Sequence, residues 1–93
     1  MSSNQVIAHG FSEDSSTIAQ LFVQGAAPAN RIKSEAVEIL ENTRGSLMSN
    51  FQRKNVEGTL GRWALLKKSK CVYFLLAKSS YPERLSYQLL NVK

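Results

Sequence analysis

His9 and Cys71 are the one histidine and the one cysteine of the chain, and such a pair is the smallest set from which a thiol nucleophile and its base can be built. Both lie in segments of strand propensity, so contact between them is left open by the sequence. A cysteine inside the apolar run CVYFLLA nevertheless has the surroundings of an inert core thiol, and a lone histidine on a strand is ordinarily at the surface or satisfied locally. A metal site needs several convergent ligands, and one His, one Cys and no clustered Asp/Glu motif do not supply them, so neither metal nor cofactor is expected. Gly45, Gly58 and Gly61 are scattered, without the strand-loop-helix setting of a phosphate cradle. Glu35, Glu38 and Glu41 follow the solvent side of a helix and read as polar surface rather than as acid or base. No catalysis is expected.

Charge points in another direction. The formal net charge is +5, concentrated in Arg53-Lys54 and in Lys67-Lys68-Lys70, a balance that favours acidic partners, anionic lipid or nucleic acid. Lysines that solvate loops and edge strands are the plainer reading of each cluster. Trp63, Tyr73, Phe74, Tyr81 and Tyr87 among these cations resemble a base-stacking platform in composition. They lack the glycine-interleaved pattern of an RNA-recognition motif, and Tyr73-Phe74 falls in a strand expected to be buried, so core packing is preferred. A small basic nucleic-acid-binding domain using Arg53, Lys54, Lys67, Lys68 and Lys70 is the alternative function.

The elements that position these residues follow from patterning. Cys71–Ala77 does not alternate apolar with polar, is too short for a membrane span, and is rich in Val, Tyr and Phe; it reads as a central strand covered on both faces. Arg62 to Lys67 reads as its neighbour, turned back through Lys68-Ser69-Lys70. Ser80-Tyr81-Pro82-Glu83 has capping-box spacing and opens a helix whose stripe is Leu85, Leu89 and Val92, joined by Tyr81 and Leu90. Upstream, 6–11 and 17–24 read as a hairpin about a polar turn at 12–16. A helix runs from an N-cap at Asn30 to Arg44-Gly45, with Ile32, Ala36, Ile39 and Leu40 inward and Val37 flanking. Residues 46–53 read as a short edge strand carrying Leu47, Met48 and Phe51, and 55–61 as a loop. The order predicts one α+β domain over 1–93, with an antiparallel sheet of about five strands, helices on its faces, and 17–24 and 46–53 at the exposed edges.

GRWALLKKSKCVYFLLAKSSYPERLSYQLL resembles the last two strands and following helix of a longin domain, the N-terminal module of one class of vesicle R-SNAREs. There too a short polar loop turns one strand into a very apolar one, followed by an aromatic-Pro-basic step into a helix. Tyr81 to Leu90, YPERLSYQLL, is similar to the version in endoplasmic reticulum–Golgi synaptobrevin-like SNAREs. The resemblance spans about thirty residues in sequence and the whole chain in architecture. It implies a profilin-like longin fold with the first helix on one face and later helices on the other. It also implies a recognition role in vesicle-mediated traffic, binding SNARE, coat or tether partners on the cytosolic face of ER, Golgi or vesicle membranes, with peripheral membrane contact and no small-molecule substrate. The family's partner groove, beside the first helix and third strand, maps here onto Ile39, Leu40, Leu47, Met48 and Phe51. On this reading no nucleic acid is expected.

The chain departs from the family in two ways. It ends during or just after the second helix, where the family continues into a third, and it carries no heptad SNARE motif, tail anchor or terminal lipidation signal. A fragment or splice form of a longer SNARE and a free-standing adaptor are both compatible with this. One sheet face is expected to be under-covered, with self-association or marginal stability as the consequence.

Overall fold

The computed structural model describes residues 5–13, 18–25, 27–43, 45–46 and 49–91. Cys71–Ala77 forms the middle strand, β5, of a five-stranded sheet whose order is β2-β1-β5-β4-β3. Its partners are β1 (Val6–Ser12) and β4 (Arg62–Lys68), both antiparallel, and β2 (Ile18–Val23) and β3 (Arg53–Glu57) form the edges. The remaining elements are α1 (Ala29–Asn42), between β2 and β3, and α2 (Glu83–Asn91), after β5. The protein is thus α+β, with an antiparallel sheet and, among the described residues, two helices.

The unbroken apolar character of β4 and β5 has a direct cause, since each helix covers a different face. Ile32, Ala36, Ile39 and Leu40 of α1 pack on Ala8, Trp63, Leu65, Val72, Phe74 and Leu76. Tyr87 and Leu90 of α2, with Tyr81 just before it, pack on Val6, Ala64, Leu66, Leu75 and Ala77. Side chains along β4 and β5 therefore alternate between two cores, and Trp63 to Leu66 and Phe74 to Ala77 are buried on both faces.

Several expectations are corrected. The edge strand is β3, which shares only Arg53 with the segment 46–53 and lies mostly in the segment read as a loop; residues 47 and 48 lie outside the described residues. RKNVE carries a single apolar residue, half-buried Val56, and pairs with β4 through its backbone, so hydrophobic patterning gave no sign of it. Helix α1 starts at Ala29 after Pro28, with no side-chain cap, and Asn30 lies inside its first turn. Its other end closes at Thr43, whose hydroxyl donates to the Ile39 carbonyl at 2.8 Å; Arg44 lies outside the described residues. Helix α2 begins at Glu83, after a turn in which the Tyr81 amide donates to the Lys78 carbonyl at 2.9 Å, so Ser80 is too far upstream to cap it. Its inward stripe is rotated from the expected one: Ser86, Tyr87 and Leu90 are buried, Leu85 is half-buried, and Leu89 is 40 % exposed. Val92 lies outside the described residues. Among the described residues, no helix is long and apolar enough to cross a membrane.

Candidate partner-binding surface

The chain between α1 and β3 ends in a bulge at the edge of the sheet. The Phe51 amide donates to the Lys67 carbonyl at 2.7 Å, and the Lys67 amide donates to the Gln52 carbonyl at 3.0 Å. Two residues thus oppose one, the pattern of a bulge whose first position favours glycine in the left-handed region. Here that position is Phe51, with φ of 64° and 59 % of its surface exposed. The surroundings hold it there. The Asn50 side-chain oxygen accepts from the Ser69 amide at 2.6 Å, tying the segment to the β4–β5 turn. The Ser49 amide donates to the Gln52 side-chain oxygen at 3.1 Å, and the Gln52 amide donates to the Ser49 carbonyl at 3.2 Å. A large aromatic residue is therefore presented to solvent on a backbone conformation costing of order 1 kcal/mol or more.

The other residues assigned to this groove are placed differently. Ile39 and Leu40 are buried, at 6 % and 2 % exposure, within the core beneath α1, where they support the surface rather than line it. Leu47 and Met48 lie outside the described residues.

The five basic residues do not form one platform. Register sets Arg53 opposite Leu66 and Lys54 opposite Leu65, so their side chains leave opposite faces of the sheet. The Arg53 guanidinium lies 4.9 Å from the centroid of the Tyr87 ring, on the α2 face. Lys68 is on the same face, donating to the Asn91 carbonyl at 3.0 Å with its ammonium 5.2 Å from the Tyr73 ring centre. Lys67, opposite Val72, belongs to the α1 face with Lys54, and Lys70 is exposed in the β4–β5 turn.

The α2 face carries two features that sequence patterning missed. Arg53, Arg84, Tyr87, Gln88 and Asn91 line an open groove of about 300 Å³ beside β3. Arg84, Gln88 and Asn91 recur at helical spacing, a polar stripe beside the apolar one, but its partner strand was unassigned. Tyr87 forms the floor, donating its hydroxyl to the Asn55 side-chain oxygen. Burial first, and then the Glu83 carboxylate, push the Tyr87 hydroxyl up to about 12, against the opposing pull of Arg53 and a hydrogen bond with the Lys54 backbone. The second feature is aromatic. Helix α2 lies over β4 and β5, and over β1 and β2 the same face shows His9, Phe11, Gln20 and Phe22 around a cavity of about 160 Å³. His9 meets Phe22 edge to face at 5.2 Å, and Phe11 stacks on Tyr73 at 5.4 Å. Phe22 is 53 % exposed.

The thiol and imidazole do not meet. Register sets His9 opposite Leu75, about 13 Å along β5 from Cys71 at the strand spacing of roughly 3.3 Å per residue. Cys71 itself is only half-buried, at the start of β5 opposite Lys68. Among the described residues, no group of three or more His, Cys, Asp or Glu is placed to hold a metal ion.

No family model, curated protein or solved structure matches the chain.

Proposed function

We propose that the chain is a recognition module of vesicle-mediated membrane traffic, binding SNARE, coat or tether segments at the α1/β3 edge and catalysing no reaction. The observation that carries this reading is Phe51, an exposed aromatic held at φ of 64°. Backbone strain of that kind persists where function needs the side chain presented, and exposed aromatics are favoured anchors of protein interfaces. Two further features support it. The sheet has one helix on each face, the arrangement that the longin resemblance implies. The basic residues are divided between the two faces, which favours separate polar contacts over a continuous nucleic-acid track. In this reading the module works on the cytosolic side of ER, Golgi or vesicle membranes, with peripheral contact at most. Self-association through the half-covered aromatic face belongs to it as well.

The test is a titration of the purified chain with fluorescent peptides spanning R-SNARE and Q-SNARE motifs, paired with imaging of the tagged chain in cells. Saturable binding lost in Phe51→Ser, and punctate ER–Golgi staining that disperses in the same variant, is the expected result. Indifference of both readouts to Phe51→Ser, or saturable binding to single-stranded RNA at physiological salt instead, would overturn the reading.

A further inference from the structure

Edge strand β3 has two sides, and the side away from Phe51's partner strand has its own chemistry. In an antiparallel ladder, backbone groups turn alternately toward and away from the neighbour. Since the Lys67 amide bonds the Gln52 carbonyl, and register pairs Arg53 with Leu66 and Lys54 with Leu65, the N–H and C=O groups of Arg53, Asn55 and Glu57 face outward. Edge strands of this kind are templates for an added strand, and cations on them discourage pairing with a second copy of the same chain. On a chain of net charge +5, Arg53 and Lys54 repel a like-charged copy and attract an acidic one.

The side chains of Arg53, Asn55 and Glu57 share the α2 face, next to the groove of about 300 Å³. Glu57 is already engaged, accepting from Arg62 Nε at 2.9 Å, and this is the one ion pair among the described residues. Arg53 and Arg84 both line the groove with no described carboxylate paired to either. Arg53 is held in place from below. Its guanidinium lies over the Tyr87 ring, and that ring is fixed in turn by the hydrogen bond to Asn55. A guanidinium stacked on an aromatic face keeps its N–H edges free, in the planar fork that matches a carboxylate.

We propose that β3 takes up an extended acidic peptide as a sixth strand, with one Asp or Glu carboxylate clamped between Arg53 and Arg84. Main-chain bonds to Arg53, Asn55 and Glu57 would supply affinity, and the two guanidinium groups would supply side-chain selectivity. The proposal rests on the recognition reading above, but concerns a different side of the strand from Phe51.

The test selects a random seven-residue peptide display library on the full chain, then measures the winners by fluorescence anisotropy and by amide shifts of the isotope-labelled protein. The expected result is enrichment of Asp or Glu at one position. Affinity should fall roughly tenfold or more in Arg84→Ala, on the exposed side of α2, as for loss of a charge-assisted contact. Arg84→Lys should recover only part of it, and the largest shifts should fall on Arg53, Asn55 and Glu57. Winners without an acidic position, or insensitive to Arg84→Ala with shifts centred on Phe51, would overturn this inference while leaving recognition at Phe51 intact. A library yielding no binder at all would overturn both. Arg84-dependent binding to phosphatidylserine vesicles with no acidic peptide selected would assign the groove to lipid and overturn the peptide.

Discussion

Glu35 accepts the indole N–H of Trp63 at 2.6 Å, joining α1 to a fully buried side chain near the start of β4. The same carboxylate accepts from the Thr59 hydroxyl at 2.6 Å and from the Thr59 amide at 3.2 Å, so one side chain ties the helix to both the strand and the β3–β4 turn. Space for it depends on Gly58, where an added Cβ would stand 2.3 Å from Glu35 Oε1 and 2.7 Å from Trp63 Nε1. Burial tends to raise the carboxyl, but the hydrogen bonds from Thr59 and Trp63 and the charge of Arg31 outweigh it, and the net shift is downward.

A depressed folded value means that the contribution of Glu35 is complete above its ordinary 4.5 and disappears as pH falls through the folded value. Denaturant unfolding should therefore show stability declining below pH 4.5, with a change in Trp63 fluorescence over the same range. In Glu35→Ala the Trp63 N–H loses its partner, at a cost of about 1–3 kcal/mol, and this acid dependence should flatten. A variant that keeps the wild-type acid profile would contradict the assignment. Gly58→Ala should destabilise in the same assay.

Tyr87 gives the opposite pH dependence. Its folded value of about 12 exceeds the ordinary 10.0, so stability is unaffected below 10 and falls as pH rises from there through the folded value. Ultraviolet titration should show a tyrosine step near 12. Tyr87→Phe should remove that late step and cost about 0.5–1.5 kcal/mol through the lost bond to Asn55. A titration without that late step, or one that keeps it in Tyr87→Phe, would count against this picture.

Phe51 should trade stability for binding. Glycine at this position relieves the left-handed backbone, and Phe51→Gly is expected to leave stability unchanged or raised by up to about 1 kcal/mol, while peptide binding is lost. A net loss of several kcal/mol would show that the ring serves the fold, not a partner.

Phe22 predicts association. Over β1 and β2 the α2 face presents Phe22 beside His9 and Phe11 with no helix of the described residues above them. Sedimentation velocity should show a concentration-dependent mass, abolished by Phe22→Ser. A strictly monomeric profile at high concentration would refute this.

What the sequence revealed and what it hid divide along physical lines. β4, β5 and the inward stripe of α1 were legible because each is specified by its own apolar residues. β3 was not, since a strand with one apolar side chain is held by backbone pairing to a neighbour distant in sequence. That omission hid the groove too, because Arg53 meets Tyr87 only after β3 has been placed. Glu35 was misread as ordinary solvent-facing polarity: it borders the Ile32–Ala36–Ile39 stripe, and only the position of Trp63 and the space at Gly58 turn it inward. The resemblance maps Phe51 onto the family's groove, whereas its conformation is dictated by a bulge that residue types alone do not encode. The rotation of α2 has a similar origin, since Tyr87 is drawn inward by a hydroxyl partner on the unassigned strand.

The pairing of β1 with β5 bears on how the molecule is made. Val6 faces Ala77 and Ser12 faces Val72, so β1 leaves the ribosome well before the strand that closes one of its two long sides. Until then the hairpin of β1 and β2 is a two-stranded unit, marginal by itself in water. Closing so long an intervening loop carries an entropic penalty before any reward arrives. Nascent chains will therefore expose Val6, Ala8 and Phe11 until β5 has been made, an interval in which holding chaperones matter to the yield of native protein.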